Sequence, residues 1–137
     1  MFAAFLHVLS GNSSRDELDE LEIRQWHTAH AIIVRVFGEL WSTNISQFRE
    51  AMDELVAQPK RVIVVDLTGV TFIGSEGIRA LFQIAKELTS RGGELRVVVP
   101  PSPVRDTFET TLMHRVLKVH ENVADALHAA CGLAEAH

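Results

Sequence analysis

The sequence predicts an α/β protein: a mixed, mainly parallel β-sheet with about four helices and its first strand antiparallel at an edge. Short runs of β-branched and apolar residues alternate with segments whose apolar residues recur at spacings of three and four. Such alternation is typical of β-α-β units, whose strands run parallel. The first two apolar runs are joined by a turn, which places the first strand antiparallel to the second.

Composition favours one soluble domain with one core. The chain has 137 residues, 47% of them hydrophobic and 23% charged. We assign residues 19–137 to the domain and residues 1–18 to an extension. The extension is either poorly ordered or docked, through Phe2, Phe5 and Leu6, on the domain or on a second copy of the chain. It is too short to insert into a membrane, since a span needs about 20 apolar residues.

Charge and cysteine content restrict the partners. The net charge of −5 argues against direct nucleic-acid binding, which requires a basic surface. Cys131 is the one cysteine in the chain, so an internal disulfide cannot form, and this suits a reducing cytoplasm.

The first half of the domain reads as two strands, a helix and a central strand. The first strands lie around residues 21–23 and over 31–37, with a turn near residues 28–30; Gly38-Glu39-Leu40 ends the second. A capping box of Asn44 and Gln47 opens a helix that Pro59 closes. Its apolar face comprises Ile45, Phe48, Met52, Leu55 and Val56. The strand over residues 61–67 is the most apolar and therefore central.

A linker through Phe72 and Ile73 leads to Gly74-Ser75-Glu76-Gly77 and the second helix. That helix ends at Gly92-Gly93 and is followed by a strand over residues 95–99. Ser102-Pro103 opens a third helix, and Asn122 caps a fourth after a short strand over residues 116–119. The apolar face of the third helix comprises Val104, Phe108 and Leu112.

The motifs of common enzymes are absent from the sequence. A nucleophile elbow requires glycine two residues before the serine, where Ser75 has Ile73, and no Gly-rich phosphate loop occurs. His27 and His30 have no third ligand near them in sequence, so we expect no metal and no cofactor. Asp66, at the end of the central strand, either lines a ligand site or accepts hydrogen bonds from the turn of Thr68 and Gly69, which we favour.

The turn at Ser75 is the strongest candidate for a functional site. It joins the central strand to a helix, where unpaired backbone N–H groups and the positive end of the helix dipole meet. Ser75 could simply cap the helix with its hydroxyl. A phosphate on Ser75 would instead be held by the same N–H groups, and its added charge could eject a docked partner.

Residues 62–127 and the Gly38-Glu39-Leu40 sequence resemble the STAS domain of anti-sigma factor antagonists, and the resemblance covers about residues 19–132. The resemblance implies a protein that is not an enzyme. It implies binding to an anti-sigma factor, often a serine kinase of the GHKL type, and release of a sigma factor. It places Ser75 and Gly77 on the phosphoacceptor serine and the glycine of the family's D-S-S-G turn.

Two departures from the family pattern bear on this switch. Gly74 and Glu76 replace the aspartate and the second serine of the turn, and Trp41 replaces the aspartate that commonly follows G-E-L. The carboxylate of Glu76 repels the negative charge of a phosphate added to the neighbouring Ser75. Trp41 is either an exposed anchor for a partner or packed against the first helix.

We therefore expect an anti-sigma factor antagonist that docks directly and is controlled, where the switch is retained, by phosphorylation of Ser75. The alternative is a STAS scaffold or accessory subunit of a stress-signalling complex or transporter, and a homodimer is also open. The partner-binding residues expected are Trp41, Thr43, Asn44, Gly74, Ser75, Glu76, Gly77, Arg79, Gln83 and Lys86.

Overall fold

The computed structural model describes residues 5–8, 20–59 and 62–135, with side chains for residues 20–59 and 62–130. The strands are β1 (Phe5–Val8), β2 (Glu22–His27), β3 (Ala31–Leu40), β4 (Val62–Ile73), β5 (Glu94–Val98) and β6 (Lys118–His120). The helices are α1 (Ile45–Val56), α2 (Ser75–Ser90), α3 (Pro103–Thr110) and α4 (Val123–Glu135), and a 3₁₀ helix (Met113–Arg115) lies between α3 and β6.

The strands form one mixed sheet in the order β1-β2-β3-β4-β5-β6. The β1–β2 and β2–β3 pairs are antiparallel, and all later neighbours are parallel. The predicted fold class is therefore confirmed, with one more strand than the sequence indicated. That strand, β1, falls within residues 1–18; most of this segment, including Phe2, lies outside the described residues, and the domain division stays a prediction.

Two apolar cores lie on opposite faces of the sheet. Along β4, Ile63, Val65 and Leu67 belong to the larger core with residues of α1, α2 and α3. Val64 belongs to a smaller core, shared with Val98 of β5 and Ala126 of α4. The split follows from the period of two along a strand, which sends successive side chains to opposite faces. Both faces of β4 are thus covered, as its continuous apolar run predicted.

β3 and β4 extend past the other parallel strands and carry the candidate site at their carboxyl ends. β5 pairs with β4 only as far as Asp66, whereas β3 remains paired with β4 up to Ile73. The predicted strand ends at residues 37 and 67 were therefore wrong. The extension contains irregularities near Gly38, whose φ of +123° is a conformation that favours glycine. A glycine that reads as a strand end in sequence here forms part of a bulged pair.

The starts of α3 and α4 were predicted correctly. The Ser102 hydroxyl accepts a hydrogen bond from the N–H of Arg105 at 3.1 Å, with Pro103 in the first turn of α3. The Asn122 side chain accepts one from the N–H of Asp125 at 2.8 Å. Both bonds satisfy N–H groups that have no partner within their helices.

The end of α3 was predicted wrongly. The spacing of Val104, Phe108 and Leu112 suggested three buried residues, and the first two are buried. Leu112 instead follows the end of the helix, with a φ of +62° and 52% of its surface exposed. β6 consequently begins two residues later than expected, at Lys118, and Val116 is exposed.

Candidate functional site

The turn between β4 and α2 is fixed against the end of β3. The N–H of Gly74 donates to the carbonyl of Leu40 at 2.8 Å, and the carbonyl of Gly74 accepts from Ile78 at 3.1 Å. Gly77 is buried where α2 comes closest to the strands. A Cβ there would lie 2.7 Å from Cγ1 of Ile73 and 3.3 Å from the Leu40 carbonyl, so glycine is required for this approach. We call residues 74–77 the docking turn.

Ser75 is the first residue of α2 and is exposed. The N-cap is Gly74, in an extended conformation, and no side chain caps the helix. The expectation that Ser75 is the N-cap was therefore wrong. Its hydroxyl makes no hydrogen bond to any residue that the structure describes. Glu76 is also exposed and lies in the first turn, where a carboxylate interacts favourably with the helix dipole.

The loop over residues 41–44 owes its shape to Asn44, which is 1% exposed. Its Oδ1 accepts from the N–H of Trp41 at 3.1 Å, and its Nδ2 donates to the Glu39 carbonyl at 2.6 Å. Gln47 does not complete a capping box; its side chain accepts from the N–H of Leu21 at 3.3 Å. Asn44 therefore shapes the loop from inside, while Trp41 and Thr43 are exposed.

Trp41 packs against Phe72. The two ring centroids are 5.4 Å apart and the ring planes meet at 65°, an edge-to-face contact. Trp41 is 37% exposed and Phe72 is 45% exposed. A Cβ placed on Gly74 would lie 3.5 Å from both the Phe72 ring and Cβ of Trp41, so this aromatic pair lies against the docking turn. The structure thus decides for an exposed Trp41.

Sequence reasoning missed Phe72, which was assigned to a linker. A signal was present, since the neighbouring Ile73 is an obvious core residue and successive strand residues point to opposite faces. Reading the segment as strand would have turned Phe72 outward. The parallel register pairs Phe72 with Glu39 on β3, which brings a carboxylate beside the aromatic pair.

The residues predicted on α2 are exposed but differ in what they contact. Gln83 accepts a hydrogen bond from Arg49 of α1 at 3.3 Å. The Lys86 ammonium lies 5.5 Å from the centroid of the Phe82 ring. Arg79 makes no ion pair with any described residue. The structure therefore brings Trp41 against the docking turn, with Thr43 exposed in the same loop as Trp41, and Arg79 follows one helical turn after Ser75.

The other candidates take structural roles. Asp66 is 2% exposed, pairs with Arg35 at 2.9 Å and accepts two hydrogen bonds from Thr68, which confirms the interpretation we favoured. His27 contacts the Gln25 side chain at 3.0 Å. Within the described ranges, no three histidine, cysteine or acidic side chains are placed to hold a metal ion. In the same ranges, no helix is both long and apolar enough to cross a membrane.

A second polar region, the charged cluster, lies across β5 and β6 and was not predicted. Glu94 bonds Arg96 at 3.0 Å and Lys118 at 2.8 Å, and Arg96 contacts Nε2 of His120 at 3.0 Å. Only 5% of the Arg96 side chain is exposed. The charged cluster could be recognised only from the strand register, which aligns Arg96 with Lys118 and Val98 with His120.

Two pKa values in this cluster are displaced. Burial alone would raise the pKa of Glu94, but hydrogen bonds from Lys118 and Arg96 outweigh it, so the pKa lies below its ordinary value. Burial and then the positive charge of Arg96 lower the pKa of His120, against opposing effects of Asp125 and Glu94. His120 is thereby favoured as a neutral acceptor for the guanidinium.

Fold and site together define a small α/β domain that presents a rigid turn at the carboxyl ends of its two longest strands. A family model described as the STAS domain matches residues 22–126. The chain belongs to the STAS domain family.

Individual relatives agree with this assignment. The chain is similar to the anti-sigma F factor antagonist of Paenibacillus polymyxa, with 27% identity over 108 residues, 78% of this chain and 92% of the relative. The crystal structure of an anti-sigma factor antagonist from Mycobacterium paratuberculosis has a TM-score of 0.71 and 21% identity, covering 93% of each chain. The unphosphorylated form of the antagonist SpoIIAA, a Bacillus cell fate determinant, has a TM-score of 0.62 and 19% identity, covering 93% of this chain and 97% of its own.

Proposed function

We propose that this protein is an anti-sigma factor antagonist, which binds an anti-sigma factor and so frees a sigma factor for transcription. The observation that carries the proposal is the exposed docking turn, held rigidly by the Gly74–Leu40 hydrogen bond. It occurs in a STAS domain whose curated relative in Paenibacillus polymyxa is an anti-sigma F factor antagonist. The protein acts by binding and not by catalysis.

The proposed contact surface comprises the loop over residues 41–44, the docking turn and the exposed face of α2. Trp41, Thr43, Ser75, Glu76 and Arg79 are exposed and can touch a partner directly. The buried Asn44 and Gly77 support the surface by fixing the loop and the helix approach. Because the surface is preorganised, little conformational entropy is lost on binding. Gln83 and Lys86, further along α2, extend it.

Phosphorylation of Ser75 is the proposed control, with the anti-sigma factor as a GHKL-type serine kinase. The Ser75 hydroxyl is exposed, and the first N–H groups of α2 have no partner within the helix, so a phosphate there meets hydrogen-bond donors. Glu76 works against this by placing a negative charge beside the acceptor. We therefore expect the phosphorylated protein to bind its partner less tightly. We also expect Ser75 to be phosphorylated more slowly than it would be in a turn that lacks Glu76.

Calorimetric titration of the chain against purified anti-sigma factors from its source organism tests the proposal. We expect micromolar or tighter binding to at least one, and release of its sigma factor in a run-off transcription assay. Ser75→Asp should weaken the complex at least about 10-fold, since it places a charge in the contact surface. Ala124→Asp adds the same charge to the exposed first turn of α4 and serves as the matched control. Failure of every anti-sigma factor to bind contradicts the proposal.

The control by phosphate is tested separately. Incubation with the bound anti-sigma factor and ATP, followed by mass spectrometry, should add one phosphate to the chain and none to Ser75→Ala. Glu76→Ser should be modified faster than the wild type. A complex that binds tightly but never modifies Ser75 would leave docking intact and remove the switch.

A further inference from the structure

Four large apolar side chains are exposed in the described part of the chain: Trp41, Phe72, Leu112 and Val116. Single exposed apolar residues are ordinary on protein surfaces. Trp41 and Phe72 differ because they come from separate segments and meet in an edge-to-face contact on the docking turn. Aromatic residues at the centre of a rigid surface often dominate binding energy.

We propose that the Trp41–Phe72 aromatic pair is the apolar anchor of the complex, and that it fits a partner protein whose apolar pocket is bordered by lysine or arginine side chains. The proposal rests on the proposed function and specifies the chemistry of its partner. It also implies that most of the affinity comes from apolar contact, with the charge at Ser75 acting on a complex already anchored elsewhere.

The anchor is preorganised. The backbone of Trp41 is held by Asn44, through hydrogen bonds of 3.1 Å in each direction. Phe72 lies within β4, next to Ile73, which pairs with Leu40 of β3. Each ring restrains the other, and aromatic side chains have few rotatable bonds, so binding costs little side-chain entropy.

Carboxylates near the anchor indicate the charge of the partner. Glu39 neighbours Phe72 across the strand pair, and Glu76 lies in the docking turn. Neither makes an ion pair with another residue in the ranges that the structure describes. Arg79, one helical turn on, is the cation of α2 nearest in sequence to this turn. Two unpaired acids beside an apolar patch complement a pocket with a basic border, which speeds association.

The anchor occupies the place of the carboxylates that the family resemblance led us to expect. Trp41 stands where an aspartate commonly follows G-E-L, and Gly74 stands where the turn has its aspartate. A Cβ on Gly74 would lie at ordinary contact distance from the Phe72 ring and from Cβ of Trp41, so the glycine leaves this side of the Phe72 ring open. Recognition at this position has thus changed from charged to aromatic groups.

Titration of wild type, Trp41→Ser, Phe72→Ser and the double variant against the anti-sigma factor that binds wild type tests the anchor. Each single change should raise Kd roughly 10- to 30-fold. The double variant should lose less than the product of the two, because the rings touch and act together. Phe72→Tyr keeps the ring contact and should stay within about 3-fold. Leu112→Ser removes an equally exposed apolar residue elsewhere and should leave Kd unchanged.

Salt dependence tests the chemistry of the border. Glu39→Gln and Glu76→Gln should slow association at low salt and have little effect at about 1 M salt, where the Debye length is only about 3 Å. The loss caused by Phe72→Ser should persist at both salt concentrations. A loss that disappears at high salt would overturn the apolar anchor.

A readout without substitution at the site guards against misfolded variants. The chain has two tryptophans, so a Trp26→Phe background leaves Trp41 as the single reporter. Its fluorescence should shift to shorter wavelength and resist acrylamide quenching in the complex. If wild type binds but the Trp41 signal and the serine variants are unchanged, the anchor is refuted and the proposed function stands. If wild type binds no anti-sigma factor, the proposed function fails and the anchor fails with it.

Discussion

Two regions of the molecule differ in which groups they expose. The carboxyl ends of β3 and β4 expose aromatic rings, whereas the edge formed by β5 and β6 buries a charged group. At the first, two aromatic rings are exposed, and Glu39 and Glu76 have no ion-pair partner among the described residues. At the second, a guanidinium is buried and each charge has a partner. A buried charge destabilises the fold unless it is paired, so the pairing within the charged cluster is explained by the stability of the fold. The exposed part of the two rings buries no apolar surface within the domain, so it adds little to stability and is available to a partner.

Breaking the charged cluster should have the largest effect on the free energy of unfolding, and it distinguishes the two regions. Glu94→Gln removes the counter-charge of Arg96, whose side chain is 5% exposed, and should lower the free energy of unfolding by about 3 kcal/mol. Affinity for the anti-sigma factor should not change. Glu87→Gln breaks an exposed pair of 3.9 Å with Arg91 and should cost less than about 0.5 kcal/mol. Urea unfolding measures both; equal losses would refute the distinction.

Gly77→Val tests whether the docking end is as tightly packed as its hydrogen bonds indicate. The added Cβ meets the Ile73 side chain at 2.7 Å, so α2 must shift, at a cost of about 2 kcal/mol in the free energy of unfolding. Because the shift moves the docking turn, partner affinity should fall as well. Full affinity with unchanged thermal unfolding would show that the close approach is not required.

Acid should destabilise the charged cluster in two steps. The pKa of His120 is lowered in the fold, so the unfolded chain binds the proton more readily, and stability is lost as pH falls below about 6.5. The pKa of Glu94 is also lowered, so its contribution is present above about 4.5 and is lost as pH falls toward the folded value. Urea unfolding between about pH 2 and 8 measures both steps, and His120→Gln should abolish the upper step. A step that persists in the variant would assign it to another group.

The smallest effect is expected at Gly74. Gly74→Asp adds a Cβ at 3.5 Å from its neighbours, in an extended conformation at the N-cap, where aspartate is favoured. The free energy of unfolding should rise by about 0.5 kcal/mol. If the aspartate also restores recognition by charge, Phe72→Ser should cost less affinity in this background. A loss of stability would instead show that the turn does not accommodate a side chain.

The sequence predicted most of the fold because the apolar periods of α1 and α2 and the continuous apolar run of β4 are strong signals that agree with one another. The failures have physical causes. Gly38 reads as a strand end, yet its positive φ allows a bulge that lets β3 continue. Leu112 fits the apolar period of α3, but the helix ends before it.

The candidate site was predicted in part. The sequence placed the turn at Ser75 between the central strand and a helix, as the structure has it, and part of this came from family resemblance. It left open whether Trp41 is exposed or packed against the first helix. The helix cap was misplaced because Ser75 suits an N-cap better than Gly74 does, and propensity does not include the Gly74–Leu40 hydrogen bond. The charged cluster depends on which strands are neighbours and in what register, and no local pattern contains that information.

The Gly74–Leu40 hydrogen bond also makes the docking turn a reporter of its own opening. An amide in an exposed turn normally exchanges its proton with solvent within seconds to minutes, whereas one bonded to a strand carbonyl must wait for local unfolding. The Gly74 amide should therefore exchange as slowly as the interior of β3, although its neighbour Ser75 is exposed. The exchange rate of the Gly74 amide measures how often α2 detaches from the sheet. The frequency of this opening determines how long the surface that a partner encounters stays intact.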